Sequence, residues 1–228
     1  MKTIVATRRL RAVVVGAVCL AGGLGGAAAW AGTIAGSAHD FSTQGWSGGQ
    51  ICVACHTPHG ANTTVTDAPL WSHAVTAKIF ALYTSPTLNA TTAQPGGASK
   101  LCLSCHDGTV ALDSFGGATG TSFMTGPVAT GAGPSDLTND HPISFTYNAA
   151  LATTDGSLFD PATKTVAIGT GTQTKTGTIA ATMLYSGQLQ CSSCHDVHNT
   201  FTVGGLMGEP LLKISKAGSA LCLACHNK

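Results

Sequence analysis

Four copies of Cys-x-x-Cys-His take up eight of the nine cysteines: Cys52-Val-Ala-Cys55-His56, Cys102-Leu-Ser-Cys105-His106, Cys191-Ser-Ser-Cys194-His195 and Cys222-Leu-Ala-Cys225-His226. Two thiols at this spacing can form thioethers to the two vinyl groups of one porphyrin while the adjacent imidazole reaches its iron. Each copy therefore reads as an attachment site for a c-type haem. The motif histidines, His56, His106, His195 and His226, become the proximal ligands. Zinc ribbons, redox disulfides and iron-sulfur sites also use closely spaced cysteines, but none of them accounts for a His after every second Cys. The implied cofactor load is four covalently attached haem c groups, each with its iron.

The amino terminus has the form of a secretory signal: Lys2, Arg8, Arg9 and Arg11, an apolar run from Ala12 to Leu24, then Ala29-Trp30-Ala31 as a cleavage site. Residues 1–31 are expected to be removed, taking Cys19 with them, and no stable membrane span is expected after cleavage. The flanks of Cys19 fit a lipid-attachment site poorly. Arg8-Arg9 resembles a twin-arginine signal, but haem is attached to an unfolded chain outside the inner membrane, which favours the general secretory route. The expected location is extracellular or on the cell surface, with the periplasm as the alternative.

All three arginines belong to that leader, so the chain from Gly32 onward carries seven lysines against nine aspartates and one glutamate, a net charge of −3. Haem propionates would make it more acidic. Such a surface repels nucleic acid and suits basic partners, cations or mineral surfaces. About 197 residues for four haems leave little apolar side-chain volume, so the porphyrins are expected to supply much of the interior.

The motifs repeat in the order A, B, A, B. The first and third extend to Cys-x-x-Cys-His-x-x-His, ending at His59 and His198. The second and fourth share Leu-Cys-Leu-x-Cys-His, starting at Leu101 and Leu221. This predicts a front two-haem module over 32–114, a cysteine-free Gly/Thr-rich segment over 115–190, and a rear two-haem module over 191–228. Residues 115–133 read as loop, with Gly126-Pro127 and Gly131 among the breakers. Residues 163–168 and 174–179 alternate as a β-hairpin would. Short helices are expected near each motif and around Leu70 to Leu82. The fold class is thus a multihaem cytochrome c, mostly irregular, with short helices and a little β-hairpin, organised around four haems.

A haem held by one His keeps an open position for small ligands, whereas a second protein ligand closes it and favours electron transfer. Five histidines lie outside the motifs: His39, His59, His73, His141 and His198. Four distal places need four of them. His59 and His198 each stand three residues after a proximal His, and His141 precedes the rear pair as His39 precedes the front pair. His73 follows the apolar Pro69-Leu70-Trp71-Ser72, so either His39 or His73 is surplus. Met124, Met183 and Met207 are alternative iron ligands that the histidine count makes unnecessary. Asp107 and Asp196, each next to a proximal His, either orient that imidazole or start a helix.

The segments His39-Asp40-Phe41-Ser42, Cys52 to Gly60, Ala68 to His73, Leu101 to Val110, Asn139 to Phe145 and Cys191 to Asn199 resemble the doubled-CxxCH multihaem cytochromes, and among them the filament-forming outer-surface group. That resemblance implies a bis-His tetrahaem subunit with little regular structure, haems stacked in a continuous chain, and one distal His crossing a subunit boundary. The implied function is non-enzymatic: a head-to-tail homopolymer passing electrons to extracellular acceptors or other redox proteins. A soluble periplasmic or outer-membrane-associated shuttle is the alternative. A multihaem oxyanion reductase is the third reading, and it requires an open iron.

Overall fold

The computed structural model describes residues 34–64, 68–124, 135–203 and 210–228. The expected signal peptide at 1–31, Met207, Gly126-Pro127 and Gly131 lie outside the described residues. In chain order the regular elements are β1 (Ala81–Leu82), α1 (Gly97–His106), β2 (Asp136–Leu137), β3 (Phe145–Thr146), α2 (Ala149–Asp155), β4 (Thr165–Ile168), β5 (Lys175–Thr178), α3 (Ile179–Thr182), β6 (Gln188–Leu189), α4 (Cys191–Cys194) and α5 (Ala220–Leu223). Strands pair only in twos: β1 with β2 in parallel, β3 with β6 and β4 with β5 antiparallel. Turns and a few 3-10 segments join them, so the described chain is loop-rich, as its Gly and Thr content predicts. Among the described residues no helix is long and apolar enough to cross a membrane.

The expected hairpin forms, with Thr165 opposite Thr178 and Ile168 opposite Lys175. Its two-residue period turns Val166 and Ile168 inward and leaves Thr165 and Ala167 exposed. Gly169 closes β4 at φ 81°, where a Cβ would collide with the Gln173 carbonyl oxygen, so only glycine makes this exit. Thr178 then caps α3 by accepting from the Ala181 amide. Asn148 caps α2 in the same way through Leu151, and Gly156 ends that helix in the left-handed region.

The largest apolar cluster lies where the sequence is least distinctive. Phe145, Tyr147, Ala152, Val166, Ile168, Ile179, Met183 and Leu189 come from the cysteine-free segment, and Ala224 from the fourth motif joins them. Met183 is 2% exposed inside this cluster, so its role is packing. A smaller cluster groups Phe80, Leu103 and Leu137 and holds the second motif.

Residues 70–82 are not helical. Leu70 takes φ 57°, Trp71 bridges His56, His73 bridges Phe115, and the stretch ends in β1. Its amides are taken by distant partners: Ser72 donates to the Cys55 carbonyl, Ala74 to the Ser114 carbonyl and Thr76 to Ser104 Oγ. An extended run with β-branched Val75, Thr76 and Ile79 meets those acceptors, whereas a helix would spend the same amides internally.

Candidate functional site

All four Cys-x-x-Cys-His copies are tight turns or helix ends, and one position in each is built alike. The residue before the second cysteine is small and buried: Ala54, Ser104, Ser193 and Ala224. A small side chain lets that backbone approach the interior while both cysteines stay available. None of the eight described cysteines pairs in a disulfide. Burial pushes Cys55 up to about 11 and Cys105 and Cys225 up to about 12, and it raises Cys194. Cys102 and Cys191 share a side-chain hydrogen bond, which raises the first and lowers the second, and it places motifs two and three side by side.

Motif three is further locked to the front half. The Cys191 amide donates to Ser99 Oγ of α1, and the Ser99 amide donates to Gln190 Oε1, the residue that caps α4.

The proximal histidines of motifs one and three are oriented by the same device. His56 Nδ1 donates to the Pro69 carbonyl at 3.0 Å, and His195 Nδ1 donates to the Pro210 carbonyl at 2.5 Å. A carbonyl only accepts, so each Nδ1 carries the hydrogen and each Nε2 keeps its lone pair for a metal. Around them the backbone repeats: Thr57 donates to Leu70 and Ser72 to Cys55 in the front, Asp196 to Leu211 and Lys213 to Cys194 in the rear. Leu70 and Leu211 both take positive φ, at 57° and 51°. The Pro-Leu dipeptides 13 and 15 residues after the two proximal histidines were the signal in the sequence, and motif reading alone missed it.

Three of the four motif histidines have a non-motif His ring facing them. His39 and His106 have centroids 5.9 Å apart, His56 and His198 6.1 Å, and His141 and His226 6.4 Å. Two imidazoles on one metal, each about 2 Å from it through nitrogen and extended by the ring behind, place their centroids on the order of 6 Å apart. Aromatic pairs in a core can show similar spacing, but here each pair joins one motif His to one His outside the motifs. Burial pushes His39 down to about 4, with nearby His106, His195 and His198 adding to the effect. Burial likewise lowers His106 and His226. The neutral imidazole, the ligating form, is favoured in each.

The remaining histidines divide differently. His73 is 1% exposed, with Nδ1 at 2.7 Å from the Ala74 carbonyl and Nε2 at 3.0 Å from the Ala111 carbonyl, so neither nitrogen faces open space. His59 and His195 are both exposed, and no ring contact joins them among the described residues. Asp107 is fully buried and accepts from Thr76 and Thr109. Asp196 accepts from the amides of His198, Thr200 and Phe201. Both carboxylates close turns and neither touches a proximal ring.

The chain fits haem c at these sites. In three places a motif His ring and a non-motif His ring stand together, which suits a metal whose other four ligands would come from a porphyrin. Among the described residues no group of three or more His, Cys, Asp or Glu side chains could hold a bare ion. Trp71 Nε1, beside the His56 ring at 6.1 Å between centroids, is a buried donor without a protein acceptor, as expected where a cofactor edge completes the packing.

Comparison with known families supports this class. Residues 185–228, spanning the third and fourth motifs, match the doubled CXXCH motif family. Segments of that kind carry covalent haem c in multihaem c-type cytochromes, so the match supports haem attachment and electron transfer for this region. No curated protein matches the chain.

Proposed function

We propose that the chain is a tetrahaem, bis-His electron conductor of the outer surface, resembling the OmcE cytochrome, and that it polymerises head to tail. Haem c supplies a reversible one-electron iron centre. The protein's part would be to hold each iron between two histidines and to keep neighbouring sites close. His56 with His198, His106 with His39, and His226 with His141 would hold three irons within one chain, and His73 is the histidine that would hold none.

The observation that carries the reading is the leftover pair. Among the described residues His195 lacks a facing His ring, and His59 is exposed without one. Both are exposed and no ring contact joins them among the described residues, so each is free to meet the matching site of the next copy. Such a heterologous contact propagates as an open filament. The excess of Asp and Glu over Lys from Gly32 onward suits cationic or mineral acceptors.

The test is electron microscopy of holoprotein matured with haem, after counting haems by intact mass, together with the His59→Ala variant. Wild type should form filaments with wholly low-spin haem. The variant should remain monomeric and show one high-spin iron in four. Filaments that persist in the variant would overturn the trans ligation. A wild-type monomer with four low-spin haems would instead be the soluble shuttle, and a resting high-spin iron that binds cyanide would be the reductase.

A further inference from the structure

The rear Pro-Leu segment places a cation where the front segment has a hydroxyl: Lys213 occupies the place of Ser72, each donating its amide to the second cysteine of its motif. Lys213 is 4% exposed. Its Nζ donates to Tyr185 Oη at 2.9 Å and lies 5.0 Å from the centre of the Tyr185 ring. Among the described residues no carboxylate reaches it. Asp196 shares its surroundings, but both Asp196 oxygens are already taken by the amides of His198, Thr200 and Phe201. A largely buried ammonium whose one hydrogen-bond partner is neutral is costly, and an anion would offset that cost.

Space for one is adjacent. A cavity of ≈ 320 Å³ is lined by Lys213, Tyr185, Lys175, Asp196 and Phe201, and by His198. Lys175 adds a second positive charge, held over the Phe201 ring at 5.9 Å. His198 faces His56, so the cavity opens beside the position at which these two rings would share an iron.

We infer that Lys213 and Tyr185 form a carboxylate clamp for a propionate of the haem tethered at Cys52 and Cys55. The inference rests on the haem reading above and assigns a residue pair to one propionate. Lys213 supplies the charge-assisted bond. Tyr185, having accepted from Lys213, donates its own phenolic hydrogen to the same carboxylate. A cation fixed against a propionate cancels negative charge near that iron, which favours the reduced state and raises its potential above those of haems without such a partner. Lys213 is in this sense a positioning and tuning residue, brought from the rear motif to act on the front haem.

The experiment measures the reduction potentials of holoprotein carrying Lys213→Met, Lys213→Arg and Tyr185→Phe. Haem count and low-spin spectra are recorded first, so that loss of haem, which would remove the underlying reading as well, is separable from failure of the clamp. In Lys213→Met one potential should move to a more negative value while the others stay, and Lys213→Arg should restore it. Tyr185→Phe keeps the ammonium and should give a smaller shift of the same sign, which also covers a Lys213→Met chain that fails to mature. In a background lacking Cys52 and Cys55, Lys213→Met should move none of the remaining potentials. Unchanged potentials in a fully loaded Lys213→Met variant, an equal shift of all of them, or a shift that survives removal of the front haem would overturn the clamp.

Discussion

The front and rear Cys-x-x-Cys-His-x-x-His segments run through the same backbone and present different chemistry from it. In both, a Pro carbonyl orients the proximal imidazole, a leucine at positive φ turns the chain, and the second cysteine's carbonyl accepts from the next strand residue. The front copy places that turn at the surface, with Leu70 54% exposed, while the rear copy buries it, with Leu211 4% exposed. The front then offers Trp71, Ser72 and His73, and the rear offers Leu212, Lys213 and Ile214. A shared scaffold thus sets how each motif histidine points, and the side chains hung on it set polarity and burial.

The largest separation should come from removing the tethers. Cys191→Ala with Cys194→Ala and Cys52→Ala with Cys55→Ala should each lower the intact mass by one haem. The rear pair should lose far more stability, because α4 is docked on α1 through Ser99 and Gln190 and its Ser193 is fully buried. A lower urea midpoint for the front deletion than for the rear would break the comparison.

Next in size, one substitution should have two outcomes. Leu211→Gly removes a buried side chain and should cost about 2–5 kcal/mol, less the roughly 1 kcal/mol recovered by relieving positive φ. Leu70→Gly gives up little burial and should stay within about 1 kcal/mol of wild type. Denaturant titration of the two variants decides it, and equal losses would mean that the turns are not equivalent in conformation but unequal in packing.

Ser99→Ala removes the acceptor of the half-buried Cys191 amide and should destabilise by about 1 kcal/mol, with a smaller effect from Ser72→Ala in the front. Hydrogen exchange at Cys191 would localise the change.

A smaller effect lies in alkaline solution. Tyr147 is 3% exposed, donates to the Phe159 carbonyl at 2.6 Å, and is raised above the ordinary phenol value chiefly by burial. Its contribution is therefore fully present below the unfolded phenol value of about 10 and is lost as pH rises beyond it, since the unfolded chain releases the proton first. The loss should begin in the rear half, where Tyr147 packs, and Tyr147→Phe should flatten the alkaline limb of the stability profile.

Much of the site is legible in the amino-acid sequence. The Cys-x-x-Cys-His spacing is local chemistry, readable because thioether reach and ligand adjacency depend on neighbours in the chain. The hairpin is legible as well, since a two-residue period needs only one buried face to express itself. The extended run at 70–82 is not, because its amides pair with Cys55, Ser104 and Ser114 far along the chain, and those acceptors decide against the helix. The core in the cysteine-free segment is also hidden. Isolated apolar residues among Gly and Thr carry no strong period, and they gather only when β3, α2, β4, α3 and β6 fold over one another.

The sequence by itself determined where the four Cys-x-x-Cys-His motifs and the nine candidate histidines fall, because bond-forming spacing is set within a few residues. Tertiary structure decided which histidines face one another, that both His73 nitrogens lie against backbone carbonyls, and that Lys213 is buried beside Tyr185. Those outcomes depend on side chains distant in sequence meeting at a few ångströms, and only the packing of the whole chain settles such distances.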